Sequence, residues 1–458
     1  MLSVRAKEYQ AQFNEYTEFR VQKNSTQQIR LLGGRLIQND VSCSEGISAR
    51  VYNKGVYGFA STENTSIAEV KKMLFQAEKN AKLLGGIAGR NVKLPNISKR
   101  QYETPFIIRD VQQEELLALG REVDEYIKAN CKGLTNRMVR VRVESVEKDL
   151  LVSEAVEAHT VFVRTHIFVF MYTEDKDGIS VNLDDYFGDW GYPDVVFANK
   201  APLFKWIDKL YSDIMAKKEG GYSESGFKDV ILCPDLAGIL AHEAVGHTVE
   251  ADAVRSGSIA AFSLEKKVAS EQVTLIDYAN SGFGREMPFP IYVDDEGTFG
   301  EDAVVIENGI LKGYLHSRES AYALGMKPQG NARADKFFDE PLVRMRNTII
   351  LPGKDSIEDM ISAVDDGYML AYPENGQGDV TGEFMFGASM GWKIKNGKID
   401  KPIRNVTISG YAFELLKSID MLSNDVIIRT GGTCGKKQLI GTSCGGPAIK
   451  CKANISGI

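Results

Sequence analysis

The residues of this chain best suited to chemistry lie in the run Leu240-Ala241-His242-Glu243-Ala244-Val245-Gly246-His247-Thr248-Val249-Glu250. The whole sequence holds five histidines, and two of them stand here with a carboxylate between them. Two neutral imidazoles can hold a divalent metal ion, and a glutamate beside them can take a proton from water. That grouping points to metal-assisted hydrolysis, the strongest chemical signal in the chain.

The spacing needs a structural accommodation. Helical zinc pairs usually place His at i and i+4, about 40° apart around the axis, whereas i and i+5 leaves roughly 140°. A π-type turn would restore a shared face, and such turns concentrate at functional sites. Gly246 is the residue least opposed to the distortion, so a widened turn is predicted near Val245–Gly246. Upstream, Val230-Ile231-Leu232-Cys233 reads as a short apolar strand, Pro234 suits a first helical turn, and Leu236, Ile239 and Leu240 supply an apolar face. A strand running into a buried helix is a firm mount for a metal site.

A catalytic zinc needs a third protein ligand and leaves its fourth position to water. Of the remaining histidines, His159 carries no signal of its own. His166 sits in Val161–Phe168, which reads as a strand, and His316 sits where a helix begins. The better candidate is Cys434, in the glycine-rich segment Thr430–Gln438 beside Lys436 and Lys437, read as a loop whose thiol ionises easily once a metal is present. Cys444 and Cys451 are rivals on residue type alone. Glu250 and Asp252, just past His247, are either acceptors for imidazole N–H groups or a solvated helix end. Glu383, alternating with apolar residues, reads as an exposed strand residue.

These residues resemble the TldD/PmbA metalloproteases, on the TldD side. The resemblance rests on His242 to Asp252, on Asp294-Asp295-Glu296-Gly297-Thr298, on Glu307 to Tyr314, on Arg344-Met345-Arg346-Asn347-Thr348 and on the Cys434-Gly435-Lys436 segment. An upstream echo runs Gly46-Ile47-Ser48-Ala49-Arg50-Val51 and Gly58-Phe59-Ala60-Ser61-Thr62. By that resemblance, His242, His247 and Cys434 are the ligands of one Zn2+ per active chain, and Glu243 is the base that activates a zinc-bound water. The resemblance implies a peptidase acting on peptides or unfolded protein segments. It also implies a dimer, formed with a metal-free paralogous subunit or with a second copy. This chain keeps the histidine motif that the partner type lacks, so it resembles the active type. The same residues would also serve a non-peptidase zinc amidohydrolase, or a peptide-binding module with structural zinc closed by Cys444 or Cys451. The extra thiol Cys444 and the segment around Arg318 depart from the family pattern, and Arg318 is assigned no role.

The elements that must position these groups follow from length and pattern. With 458 residues the chain exceeds what one core normally serves, so two or three domains are expected. At 43% hydrophobic and 26% charged residues it reads as an ordinary globular protein. A net charge of −7 and the lack of a basic stripe argue against nucleic-acid binding. Six scattered cysteines do not make a disulfide framework, no secretory signal is visible, and no apolar run spans a membrane. The expected location is cytoplasmic.

Short strands are predicted at Glu18–Val21, Gln28–Leu32, Gly46–Asn53 and Val56–Ala60, then a helix opened by Ser66 and Glu69 and ended by Gly85-Gly86. A second helix starts near Asp110, strands run from Val139 to Thr173, and a third helix covers Leu203–Lys217. The boundary falls at Gly220-Gly221. Residues 1–221 form an N-terminal mixed α/β half, divisible into 1–109 and 110–221, and residues 222–458 form a glycine-rich, mostly β metalloprotease half carrying the zinc helix. Its strands are placed at Pro290–Val293, Ala303–Ile306, Thr348–Leu351, Glu383–Ala388, Lys393–Ile394, Val406–Ser409 and Val426–Ile428. The fold class is α+β.

Overall fold

Strict alternation of apolar and polar residues builds the first half around a seven-stranded sheet. Its strands are β1 (Thr17–Leu32), β2 (Arg35–Asn53), β3 (Val56–Thr62), β4 (Arg100–Glu103), β5 (Asn136–Val152), β6 (Val156–Glu174) and β7 (Ser180–Trp190). They are ordered β3-β2-β1-β5-β6-β4, and β7 also pairs with β6. The structure is a computed structural model that describes residues 1–457 except 89–93, 95–96 and 154. The expected short strands Glu18–Val21 and Gln28–Leu32 are one strand. The polar stretch between them stays extended because β1 hydrogen-bonds β2 on one side and β5 on the other. The strand β7 has no counterpart in the expectation.

Helices cover one face of this sheet. Helix α1 (Ile67–Ala88) sets Val70, Met73, Leu74 and Ala77 against Phe19, Val21, Ile47, Ala49 and Val51. It runs through Gly85-Gly86 rather than ending there. Gly85 packs on the β2–β3 turn, where a Cβ would lie 3.3 Å from the Asn53 carbonyl oxygen, so close approach explains this glycine. Helix α2 (Gln113–Asn130) begins three residues after Asp110, and with the helix Ala201–Lys218 it packs Leu116, Val123, Ile127, Leu203, Ile207 and Leu210 onto Val139, Val141, Val163 and Ile167. Ala371, Tyr372 and Met390 belong to that same core, so apolar packing is continuous with the following half.

In the second half, β8 (Gly226–Leu232) lies between Asp366–Gly378 and Ile449–Gly457 in a six-stranded sheet. The strand Lys398–Tyr411 pairs with both Glu383–Lys395 and Ile449–Gly457, which closes five strands into a barrel. A second six-stranded sheet runs Ile310–Leu311, Ala303–Glu307, Leu275–Tyr278, Asn347–Ile350, Gln438–Gly446, Ile427–Lys436. Pro290–Val293, expected as a strand, contributes a single bridge from Val293 to Phe299. No described helix is long and apolar enough to cross a membrane. The molecule is α+β, as its residue patterns predict.

Two of the sequence motifs join the halves. Asp295 takes Lys148 Nζ at 2.8 Å and Arg20 Nη1 at 3.1 Å, and Glu296 binds the Arg50 guanidinium and the Arg318 backbone N–H. Arg50 also meets Glu18 at 2.6 Å, and Arg318 Nη1 lies 3.3 Å from Glu18 Oε1. Arg318, left without a role by its sequence, is thus part of a buried ionic joint between β1, β2 and the Asp294–Thr298 turn. Buried charges persist only when paired in this way.

Candidate metal centre

Cys233 leads into the helix Pro234–Leu240, with Pro234 at its first position and Leu236 and Leu240 buried between the two sheets. The chain then widens into a π-helical turn over Ala241–Val245, where the Gly246 N–H reaches back to the carbonyls of Ala241 and His242. A short 3-10 turn, Gly246–Val249, follows. The extra residue held in that turn rotates His242 and His247 onto one face, and their ring centroids lie 5.1 Å apart with planes at 85°. Gly246 keeps ordinary helical angles (φ −52°, ψ −49°), so conformational freedom does not explain it. A Cβ at this position would collide with Met345 Sδ, and glycine is required by that close packing.

Cys434 comes from the opposite side. It lies in the strand Ile427–Lys436, which pairs with Gln438–Gly446 through a tight turn at Lys437 (φ +58°). The ligand segment is therefore a β-hairpin and not the loop expected from its glycines; strand pairing holds the backbone those glycines would leave free. Cys434 Sγ is 3.3 Å from His247 Nε2, and one donor atom from each of His242, His247 and Cys434 falls within 4.8 Å of the others. Among the described residues this is the one cluster of side chains able to hold a metal ion.

The donor set fits a zinc ion. Bonds of about 2.0–2.3 Å to a tetrahedral zinc put donors roughly 3.3–3.6 Å apart. His242 is buried and its Nδ1 has no hydrogen-bond partner among the described residues, the state of an imidazole without its ligand or outer acceptor. Burial opposes ionisation of Cys434, yet hydrogen bonds from His242 and His247 outweigh it and bring the thiol down to about 5. Burial likewise opposes a charged His247, but its hydrogen bonds to Cys434 and Glu250 lift it to about 10. The thiolate form of Cys434 and the protonated form of His247 thus favour each other. A cation placed among them takes over the role of that proton.

Around the three donors lies a second set of contacts. Glu250 Oε2 accepts from His247 Nδ1 at 3.0 Å and from Lys436 Nζ at 3.1 Å, and Glu250 is 1% exposed. Asp252 takes no imidazole; it pairs with Lys436 Nζ at 2.7 Å. Lys436 thus ties the hairpin to the helix two residues beyond Cys434. Arg344, fully buried, donates to the carbonyl oxygens of Cys434 at 2.7 Å and of Lys436 and Gln438 at 3.2 Å each, gripping the hairpin from behind. Its neighbour Arg346 closes a buried pair with Asp277 at 2.8 Å. The sequence marks Arg344 and Lys436 only through their motifs; nothing in residue type announces their tasks.

Glu243 follows His242 directly, and its Oε2 is 3.9 Å from His247 Nε2. Burial raises its pKa, against the opposing effect of the two histidines, which suits a group that must pick up a proton near neutrality. The other candidates lie elsewhere. Cys444 and Cys451 are buried in strands outside the cluster, and burial pushes the Cys444 thiol up to about 12. His159 bridges Glu103 and Glu147, His166 bonds Thr430 at 3.0 Å, and His316 meets Ser320 and Met326. Glu383 is exposed on its strand.

A family model described as the PmbA/TldA metallopeptidase C-terminal domain matches residues 225–457, and one described as PmbA/TldA metallopeptidase domain 1 matches residues 17–81. The chain is 30% identical to a metalloprotease of Methanothermobacter thermautotrophicus, over 97% of this chain and 95% of that one. It is 28% identical to a zinc metalloprotease TldD homolog of Saccharolobus solfataricus, over 91% and 94% of the two chains. Its fold matches the crystal structure of TldE from Thermococcus kodakarensis with a TM-score of 0.76 at 18% identity, covering 99% of this chain and 98% of the other. The protein is a metallopeptidase. It belongs to the PmbA/TldA metallopeptidase family.

Proposed function

We propose that this chain is a zinc-dependent peptidase of the active, TldD-like type, cutting peptides or unfolded protein segments. The observation that carries the reading is the convergence of His242, His247 and Cys434 within 4.8 Å, with Glu243 at their edge, in a metallopeptidase. These three residues would hold the zinc ion. When bound, it supplies Lewis acidity, making water a nucleophile near neutral pH and polarising a peptide carbonyl. Glu243 takes the proton from the attacking water on its carboxylate and passes it to the leaving amine. Glu250 holds His247 through Nδ1, leaving Nε2 turned to the cluster, and Arg344 fixes the backbone that presents Cys434. Three donors in the cluster, with Cys444 and Cys451 outside it, favour an open site over a closed structural zinc. The chain's functional form is a dimer, with a metal-free paralogue or with itself.

The test combines metal content with cleavage of an unfolded protein such as casein by the parent and by Glu243→Gln. The expected result is about one zinc in each protein with cleavage by the parent alone, the variant losing at least the 10²–10⁴-fold typical of a general base. A parent that holds no zinc under metal-replete conditions would overturn the reading. Cleavage of a small acyl amide with no cleavage of casein would replace it with an amidohydrolase.

A further inference from the structure

One face of the N-terminal sheet is buried under helices; the other carries a row of guanidinium groups. On β1, β5 and β6 the alternate residues to the core positions are Arg30, Arg140, Arg142, Glu144 and Arg164. Arg30 and Arg140 stand directly opposite each other across the β1–β5 pair, and Glu144 stands opposite Arg164. Like charges in directly opposed positions are unfavourable unless something lies between them. Glu144 is shared by Arg142 and by Arg164 Nη2 at 2.6 Å. Among the described residues neither Arg30 nor Arg140 meets a carboxylate; Arg140 has only the ring of Phe168, 3.7 Å from its guanidinium carbon.

These side chains line a cavity of about 830 Å³, within the range of ligand sites. Arg164 is 6% exposed and lies on its wall, and its Nε and Nη1 have no acceptor among the described residues. The Nε atoms of Arg30, Arg140 and Arg142 are likewise buried without acceptors. Burial and then Arg142 and Arg30 push Arg140 down to about 10, against the weaker opposing effect of Glu144 and Asp184. Glu144, Asp294, Asp295 and Asp335 also line the cavity, but Arg30, Arg140, Arg142, Lys148, Arg164, Arg333 and Lys336 outnumber them in a chain of net charge −7.

The cavity also adjoins the hairpin that carries Cys434. Thr433 and Gly441, partners across the ligand hairpin, form part of its wall. A Cβ at Gly441 would lie 3.3 Å from Arg164 Nη2, so the guanidinium rests against the strand pair that presents Cys434.

We propose that this cavity is an anion-binding subsite that takes carboxylates of the polypeptide substrate, either acidic side chains or the terminal carboxylate. The proposal rests on the peptidase reading for its choice of ligand. Guanidinium groups bind carboxylates as paired hydrogen bonds, and Arg140 and Arg142 line the same cavity as Thr433, the residue that precedes Cys434 in the ligand hairpin.

The experiment measures binding of fluorescent peptides to the zinc-free full-length protein, so that its outcome does not depend on cleavage. A glutamate-rich peptide is compared with a glutamine-rich peptide of equal length, the latter with a free and with an amidated C-terminus, for the parent and for Arg140→Gln/Arg142→Gln. The glutamate-rich peptide should bind about tenfold or more tightly, with affinity falling as salt rises. The double variant should lose that preference, keep its zinc content on reloading and stay folded by circular dichroism. Arg140→Lys/Arg142→Lys, which keeps the charge, should retain part of it. A gain from the free C-terminus assigns the terminal carboxylate; a gain from glutamates alone assigns side chains. Equal binding of all peptides, or a preference that survives in the double variant, overturns the proposal. Displacement of the acidic peptide by micromolar inorganic phosphate also overturns it, because the ligand would then be a small phosphate. Preference without casein cleavage would remove the peptidase reading and leave the subsite.

Discussion

Replacing Arg344 with methionine should cost this protein both stability and metal. The guanidinium donates to three carbonyl oxygens of the ligand hairpin, at 2.7, 3.2 and 3.2 Å, and is fully buried. Hydrogen bonds from a charged donor are worth about 1.5–3 kcal/mol each, with the two longer ones near the bottom of that range. Methionine recovers part of the sum, because burying a cation is itself unfavourable. A net loss of about 3–4 kcal/mol follows, which lowers the melting temperature of a cooperative chain of this length by roughly 4 °C. The hairpin that presents Cys434 would loosen with it, and loss of an outer contact to a metal site typically weakens binding about 10–100-fold. The assay is thermal unfolding together with titration by cobalt, whose thiolate absorption reports ligation by Cys434, and zinc competition against a chelator. Circular dichroism at 20 °C confirms that the variant is folded before metal is added. A variant that melts within about 2 °C of the parent and binds cobalt with unchanged affinity and spectrum would show that strand pairing alone positions Cys434 and that the clamp reasoning is wrong.

Glu250→Gln should leave the fold in place while weakening zinc about 10–100-fold in a chelator competition, because His247 Nδ1 loses its charged acceptor; unchanged affinity would leave Glu250 a partner of Lys436 alone. Zinc should shield a single thiol from iodoacetamide: peptide mapping is expected to show Cys434 modified only in the metal-free protein, exposed Cys43 modified in both states, and buried Cys444 in neither. Modification of Cys434 at equal rates with and without zinc would remove it from the ligand set. Burial works against an ionised Asp295, but Lys148 and Arg20 hold it down at about 2. A carboxylate depressed in the folded state stabilises above its unfolded pKa and loses that contribution as pH falls through the folded one. The joint between the halves should therefore weaken between pH 3.8 and about 2, and Asp295→Asn should flatten that limb of the stability curve. An unaltered acid limb in the variant would place the acid sensitivity elsewhere.

Much of the site is written in local pattern. The i, i+5 histidines demanded a widened turn, and the chain has one at Ala241–Val245. The helices show because their apolar faces repeat at three- and four-residue steps, as with Val70, Leu74 and Ala77 of α1. What stayed hidden depends on partners far away in sequence. Cys434 reads as loop because its glycines carry no strand propensity, yet pairing with Gln438–Gly446 makes it strand. The long strand β1 looked interrupted because polar residues of its middle, Asn24, Thr26 and Gln28, line a cavity, and β2 looked short because its first half is largely exposed. Gly246 looked like a conformational hinge, whereas its cause is the sulfur of Met345, a contact no window around residue 246 contains. The ionic joint of Glu18, Arg50, Glu296 and Arg318 is invisible for the same reason, its members spanning three hundred positions.

His247 and Cys434 meet although they stand 187 positions apart in the sequence. During synthesis the histidine helix leaves the ribosome long before the strand that supplies the thiol and the strand Gln438–Gly446 that straightens it. Until both have emerged and paired, the nascent chain holds two imidazoles and a glutamate but no third donor. Under the proposed zinc-peptidase reading, neither a growing chain nor one cut short before Cys434 holds the full ligand set, so the activity arrives only when the last strands have paired.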